Sequence, residues 1–431
     1  MSPPRVRKQF PQLRTTLARL RERPCREAAC RYCAEEHDPR AQLRHHFGHP
    51  GFRKVGDLDQ EEIVRSGLRG ESLLAILPTG AGKSICYQLP ALVRHRRRGL
   101  LTIVVSPLQA LMRDQVESLA RLDSVGPGAA AYLNGLLTPP ERGQVLENVR
   151  LGYTALLYVA PEQLRNRSFA RTIAQREIGS WVFDEAHCIS KWGHDFRPDY
   201  LYAGRFIRAF CKGQGVEVAP VACYTATARQ SVREEITSYF RIELRTELRL
   251  FEAPVSRDNL HFHVERLAEA EKLPRVEEIL QAELGSGSGV VFCATRRRAE
   301  QFARFLRERG HSCDPFHAGL DVPAKRRIQE EFLRGDVRVV CATNAFGMGI
   351  DKSDIRVVVH ADIPGSIENY LQEAGRAGRD GRDASCTLLF TPDDLETQFQ
   401  LASLSEVSLH DLREILNALR RRARQDGRPS C

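Results

Sequence analysis

No run of about 18 apolar residues occurs in the 431-residue chain, so no membrane-spanning helix is expected. The basic N-terminus has no apolar h-region behind it, which argues against a secretory signal. Residues 1–21 also lack acids, as a mitochondrial transit peptide does, but Glu22 and Glu27 follow closely and weigh against one. Short-period repeats and long low-complexity tracts are missing as well. What is present suits packed cores: 42% of residues are hydrophobic, and the length allows two or three domains.

The net charge of +9 is unevenly spread. Residues 1–54 hold 13 Lys+Arg against 5 Asp+Glu, so the rest of the chain is nearly neutral. The N-terminal segment is therefore either an electrostatic footprint for phosphate backbones or a solvated basic tail. Of 12 cysteines, nine are scattered through the body, several ending apolar runs such as Val290-Val291-Phe292-Cys293. Cysteines so placed behave as small buried hydrophobes, and a reducing compartment without structural disulfides is expected.

Residues 1–45 read as helical, polar and basic. Beyond about residue 60 short apolar runs alternate with helix-like patterns: Leu73–Leu77, Leu101–Ser106, Ala155–Val159, Trp181–Phe183 and Val218–Tyr224. After a polar stretch over roughly 245–285, a second series follows at Gly289–Cys293, Val337–Ala342, Ile355–His360 and Cys386–Phe390. This rhythm predicts parallel sheets covered by helices. The chain divides into a Cys-containing extension (1–45), two α/β domains (46–248 and 249–400) and a helical basic tail (401–431).

Three motifs carry chemistry. In Leu77-Pro78-Thr79-Gly80-Ala81-Gly82-Lys83-Ser84 a strand leads into a glycine-rich turn and then a helix. Backbone N–H groups of Thr79, Gly80 and Gly82 can wrap a phosphate at the helix N-terminus. Lys83 would reach the β- and γ-phosphates, and the Ser84 hydroxyl would bind Mg²⁺. Leu77 stands where the general phosphate-loop pattern has Gly. In Trp181-Val182-Phe183-Asp184-Glu185-Ala186-His187 a strand delivers adjacent carboxylates to its C-terminal end. Asp184 would hold Mg²⁺ and Glu185 would orient the attacking water. In Gln372-Glu373-Ala374-Gly375-Arg376-Ala377-Gly378-Arg379, two arginines three apart on one helical face could stabilise transition-state charge. Together they read as an ATP-hydrolysing motor.

Together these motifs resemble superfamily two helicases. The resemblance narrows to the RecQ family through VFDEAHCISKWGHDFRPDY (182–200), AFGMGID (345–351) and QEAGRAGRDG (372–381). SPLQALMRDQV (106–116), YTATA (224–228) and FHAGL (316–320) follow in family order. DEAD-box RNA helicases share the architecture but not the WGHDFRP loop. The resemblance covers roughly residues 46–400 and implies two tandem RecA-like domains binding ATP and Mg²⁺. It implies 3′–5′ translocation on single-stranded DNA, unwinding of forked DNA, and a role in DNA repair and recombination. The location implied is a bacterial cytoplasm and nucleoid, or a eukaryotic nucleus. Trp192, His194, Phe196 and Arg197 would sense single-stranded DNA, with Ser106, Arg296, His317 and Thr343 as further strand contacts. Thr225 and Thr227 would link hydrolysis to domain movement, and Asp351 would lie near the nucleotide. Gln60 would read adenine, although Lys54–Asp59 separates it from Phe52-Arg53 further than the family pattern has it. The family's four-cysteine zinc subdomain and winged helix are not expected here, because only Cys386 and Cys431 follow Arg379. A DNA-stimulated translocase that unwinds little, and a non-catalytic DNA-binding regulator, are the competing readings.

At the other end, Cys25-x4-Cys30-x2-Cys33-x3-His37 could share a tetrahedral Zn²⁺. An iron–sulfur centre would want a fourth thiolate, and a helix with incidental cysteines is the plain alternative.

Overall fold

The computed structural model describes residues 9–10, 12, 24–25, 27, 29–107, 109–190, 198–226, 229–254, 257–347, 352–403, 413–414, 416–418 and 422. The chain forms two compact units. The first extends to Asp258 and includes Leu371–Arg379; the second takes Asn259–Gly347, Lys352–Tyr370 and the chain from Asp380.

The first unit has two short helices, α1 (Arg31–Glu36) and α2 (Pro39–Phe47), and an antiparallel hairpin of β1 (Lys54–Val55) and β2 (Leu58–Asp59). Helix α3 (Gln60–Arg69) then leads to a sheet of β3 (Leu73–Ile76), β4 (Leu101–Val105), β5 (Ala130–Leu133), β6 (Leu156–Val159), β7 (Ile178–Phe183), β8 (Val221–Thr225) and β9 (Arg249–Glu252). All seven strands are parallel, in the order β5-β6-β4-β7-β8-β3-β9. The connecting helices are α4 (Lys83–Arg98), α5 (Gln109–Ala120), α6 (Pro139–Leu151), α7 (Arg167–Ile173), α8 (Pro198–Gln214) and α9 (Gln230–Leu244).

Every residue of β3, β4, β6 and β8 is buried, as sheets covered on both faces require. Alternate side chains serve opposite cores. Leu74, Ile103 and Trp181 face one, with Phe206 and Phe240; Leu73, Val104 and Val182 face the other, with Tyr87 and Tyr158.

The second unit repeats the plan with β10 (Leu260–Arg266), α10 (Glu269–Glu283), β11 (Ser288–Phe292), α11 (Arg296–Glu308), β12 (Cys313–Phe316), α12 (Val322–Arg334), β13 (Val339–Ala342) and β14 (Ile355–His360). After α13 (Ile367–Ala374), whose last turn belongs to the first unit, come β15 (Ala384–Phe390) and α14 (Asp393–Ser403). The six strands are parallel, in the order β10-β15-β14-β11-β13-β12.

Four strands were missed in the sequence: β5, which is short and alanine-rich, and β9, β10 and β12, which mix polar residues or Pro with apolar ones. They are the four edges of the two sheets. An edge strand is covered less completely, and β10 exposes four residues in succession, His261 to Val264. The polar stretch at 245–285 contains β9, β10 and all of α10. Because β9 pairs with β3, the first unit runs past 248. In the tail, the described residues Arg413, Glu414, Leu416–Ala418 and Arg422 are helical.

A buried charge network ties the second unit together. Lys272 of α10 is fully buried, and its Nζ donates to Asp394 Oδ2 at 2.8 Å and Asp362 Oδ1 at 3.3 Å. Arg298 Nε donates to Asp362 Oδ2 at 2.8 Å. The backbone N–H groups of Ala294 and Thr391 satisfy further lone pairs of the two carboxylates, at 2.9 Å each. Removing one partner strands a buried charge. Lys272→Ala is predicted to destabilise the second unit by about 3–5 kcal/mol in urea unfolding, and a loss below about 1 kcal/mol would contradict this.

Candidate nucleotide site

The sheet order sets the site. Strands β7, β8 and β3 are neighbours, and their carboxyl ends carry Asp184-Glu185, Thr225 and the phosphate loop. Ligands of open α/β sheets bind outside such ends.

Buried β3 delivers the loop, and α4 starts at Lys83. Gly80 and Gly82 have φ of 84° and 76°, backbone that L side chains rarely adopt. At Gly82 a Cβ would also sit 2.7 Å from Gln60 Nε2. The glycines thus let the loop curl over the start of α4, where unpaired N–H groups and the helix dipole favour an anion.

The insertion before Gln60 has a structural answer. Lys54–Asp59 folds into the β1–β2 hairpin, turning on Gly56 at φ 59°. The Gln60 N–H then donates to the Arg53 carbonyl at 3.0 Å. Arg53 Nη1 donates to the Gly80 carbonyl at 2.8 Å, and Gln60 Nε2 to the Gly82 carbonyl at 2.9 Å. Both residues therefore reach the phosphate loop despite the longer spacing. The signal was present in the sequence: Val55-Gly56-Asp57-Leu58 is a turn pair between apolar residues.

Asp184 and Glu185 are both buried. The Asp184 N–H is held by the Val105 carbonyl at 2.9 Å, and its own carbonyl accepts from the Tyr200 hydroxyl at 2.8 Å. Burial pushes the Asp184 carboxyl up to about 7; the Glu185 charge adds to the rise, and Lys83 opposes it. Lys83 Nζ lies 3.8 Å from Glu185 Oε1. Glu185 adopts φ 49° and ψ 49°, an uncommon, strained conformation for a residue with a Cβ. His187 Nδ1 lies 3.3 Å from Glu185 Oε2 and 3.0 Å from Thr225 Oγ1, joining the carboxylate to the end of β8. Two desolvated carboxylates beside one ammonium are the donor set a hard divalent cation fits: the cation would relieve the charge that burial penalises.

The paired arginines do not share a helical face as the sequence suggested. Helix α13 ends at Ala374, and Arg376 and Arg379 occupy the turns after it. Gly375 and Gly378 interrupt the helix, Gly378 with φ 57°, and Arg257 Nη1 donates to the Gly375 carbonyl at 3.0 Å. This segment belongs to the compact unit that holds the phosphate loop. Arg376 is buried, which pulls its pKa down to about 10, with the neighbouring Arg379 charge adding to the fall.

Ser106 lies just past β4, buried, with its hydroxyl unbonded. Within the second unit, Arg296, His317 and Thr343 follow β11, β12 and β13, so three sequence-predicted DNA contacts share one sheet edge. His317 Nε2 is 3.0 Å from Glu300 Oε1. Trp192, His194, Phe196, Arg197, Thr227 and Asp351 lie outside the described residues. Cys25, Cys30 and Cys33 converge, their sulfurs within 4.8 Å of one another, but His37 is not part of that group. The His37 backbone N–H instead caps α1 on the Cys33 carbonyl, and its ring lies edge-on to Tyr32.

Known proteins are similar to this chain. The DEAD/DEAH box helicase domain matches residues 57–235, and the helicase conserved C-terminal domain matches 271–381. A probable ATP-dependent DNA helicase RecS of Bacillus subtilis is 37% identical over 89% of this chain and 73% of that protein. An ATP-dependent DNA helicase RecQ of Pasteurella multocida is 39% identical over 81% of this chain and 51% of its own length. This chain thus spans about half of the longer relative. Among solved structures, the DUF1998 helicase MrfA bound to DNA and AMPPNP is similar at TM-score 0.66 and 19% identity, over 84% of this chain and 52% of that one. Saccharomyces cerevisiae Dbp5 bound to RNA and ADP BeF3 is similar at TM-score 0.65 and 18% identity, over 86% and 92%.

A group whose folded pKa is raised binds its proton more tightly in the native state. Asp184 therefore costs stability progressively as pH rises from its ordinary 3.8 to about 7, and the cost levels off above that. Asp184→Asn is predicted to raise the melting temperature of the nucleotide-free protein, by an amount that grows from about pH 5 to about pH 7 and then stays constant. A gain independent of pH would show that the Asp184 carboxyl is not desolvated.

Proposed function

We propose that this chain, which belongs to the RecQ family of ATP-dependent DNA helicases, couples Mg-ATP hydrolysis to 3′–5′ movement along single-stranded DNA and to duplex unwinding. The observation that carries the chemistry is the approach of Lys83 to Glu185 beside the buried Asp184. In this reading the loop N–H groups and Lys83 bind the β- and γ-phosphates. Ser84 and Asp184 hold Mg²⁺, which neutralises phosphate charge when bound. Glu185 accepts a hydrogen bond from the attacking water and aligns it, and its strained backbone fixes where the carboxylate points. Arg376 and Arg379 stabilise charge on the γ-phosphoryl group.

Strand contact falls to Ser106, Arg296, His317 and Thr343 together with the Trp192–Arg197 loop, whose aromatic residues would stack on bases. Arg296 on its sheet edge would pair with phosphate, giving affinity without sequence preference. His187 bridges Glu185 and Thr225, so it is the link through which the state of the nucleotide would reach β8. A DNA-stimulated translocase that unwinds little is the second reading.

Glu185→Gln is predicted to lower DNA-stimulated phosphate release by about 10²-fold or more while nucleotide still binds. Release at the parent rate would remove Glu185 from the chemistry. Forked substrates separate the two readings. Unwinding that needs a 3′ single-stranded tail supports the helicase, whereas ATP hydrolysis without strand separation supports the translocase. Stimulation by RNA oligonucleotides in place of DNA would overturn both.

A further inference from the structure

The N-terminal extension carries chemistry that ATP hydrolysis does not use. The Cys33 thiol donates to Cys25 Sγ at 3.4 Å, and the Cys25 backbone N–H donates to Cys33 Sγ at 3.1 Å. Cys30 is the N-cap of α1, and a turn closed by its N–H on the Glu27 carbonyl at 3.2 Å brings Cys25 back toward it. All three thiols are free. A tetrahedral zinc with bonds of about 2.3 Å sets its sulfurs about 3.8 Å apart, so three sulfurs already within 4.8 Å need only a small contraction.

The fold also has a use for such a link. Helix α1 has six residues and buries none of them. Alone, so short a helix is not stable in water. Yet it is tied to α4, the helix that leaves the phosphate loop: Arg96 Nη2 donates to Glu36 Oε2 at 2.5 Å, and Arg97 donates to the Glu36 carbonyl. Gln42 of α2 donates to the Glu35 carbonyl at 2.7 Å. These bonds hold only if α1 keeps its shape.

We infer that Cys25, Cys30 and Cys33 bind one Zn²⁺ as thiolates, a structural clip that keeps α1 folded against α4 and anchors the basic N-terminal segment to the nucleotide-binding unit. The thiol protons leave to solvent as the metal binds. Among the described residues no other ligand atom joins the three sulfurs. The fourth position falls to His37, four residues past Cys33, whose Nε2 is buried without a hydrogen bond and would turn toward the metal.

Metal analysis of the purified full-length chain tests this, with cobalt substitution as the second readout. The clip predicts one zinc per chain and, with Co²⁺, a thiolate charge-transfer band. Replacing the three cysteines by serine should lower the zinc content to below about a tenth per chain and abolish the band. His37→Ala should weaken zinc binding while leaving the band. A metal-free parent protein, zinc retained by the serine variant, or a coloured iron–sulfur absorption would each overturn the zinc clip. Unchanged zinc affinity in His37→Ala would overturn the assignment of the fourth ligand.

Discussion

Two carboxylates on successive residues, both taken out of water, repel each other and lose their hydration. That is the electrostatic constraint at Asp184 and Glu185, and the surrounding residues limit its cost. Burial raises the Asp184 pKa to about 7, so near neutral pH a proton removes part of the charge. Lys83 stands 3.8 Å from Glu185, and His187 stands 3.3 Å from its other oxygen. A site that holds negative charge at this cost favours a divalent cation, and the cation in turn favours a polyphosphate. The strained backbone at Glu185 is affordable because Val105 and Tyr200 fix the residue before it.

The parallel sheet turns this local chemistry into a coupled site. Because β8 lies between β7 and β3, Thr225 at its end can touch His187, which touches Glu185. The β1–β2 hairpin adds a second connection: Arg53 and Gln60 both donate to carbonyls of the phosphate loop. The loop is thus held by two side chains that reach it from outside the phosphate-binding turn. In the second unit, Arg296, His317 and Thr343 lie along one sheet edge.

The legibility of these features followed how local each one is. The phosphate loop and the Asp-Glu pair were readable because strand, turn and functional residue are contiguous in sequence. Buried central strands were readable for the same reason, as unbroken apolar runs. The edges β9, β10 and β12 were not, because half-covered strands carry mixed residues that resemble loops, and β5 is four residues of which two are alanine, a weak strand signal. The arginine pair was found, but its helical setting was not, since Gly375 and Gly378 end α13 before Arg376. The approach of Arg53 to Gly80 depends on a hairpin and a contact 27 residues away, which spacing alone could not give. The convergence of three cysteines was suggested by spacing, whereas the position of His37 apart from them was not.

The central claim is that Lys83 and Glu185 act on one bound nucleotide in different steps, binding and hydrolysis. The most direct test compares Lys83→Ala with Glu185→Gln in equilibrium binding of Mg-ATP and in single-turnover hydrolysis with single-stranded DNA. The account predicts that Lys83→Ala loses binding and hydrolysis together, whereas Glu185→Gln binds like the parent and fails to hydrolyse. Full hydrolysis by Lys83→Ala, or loss of binding in Glu185→Gln equal to that in Lys83→Ala, would contradict it.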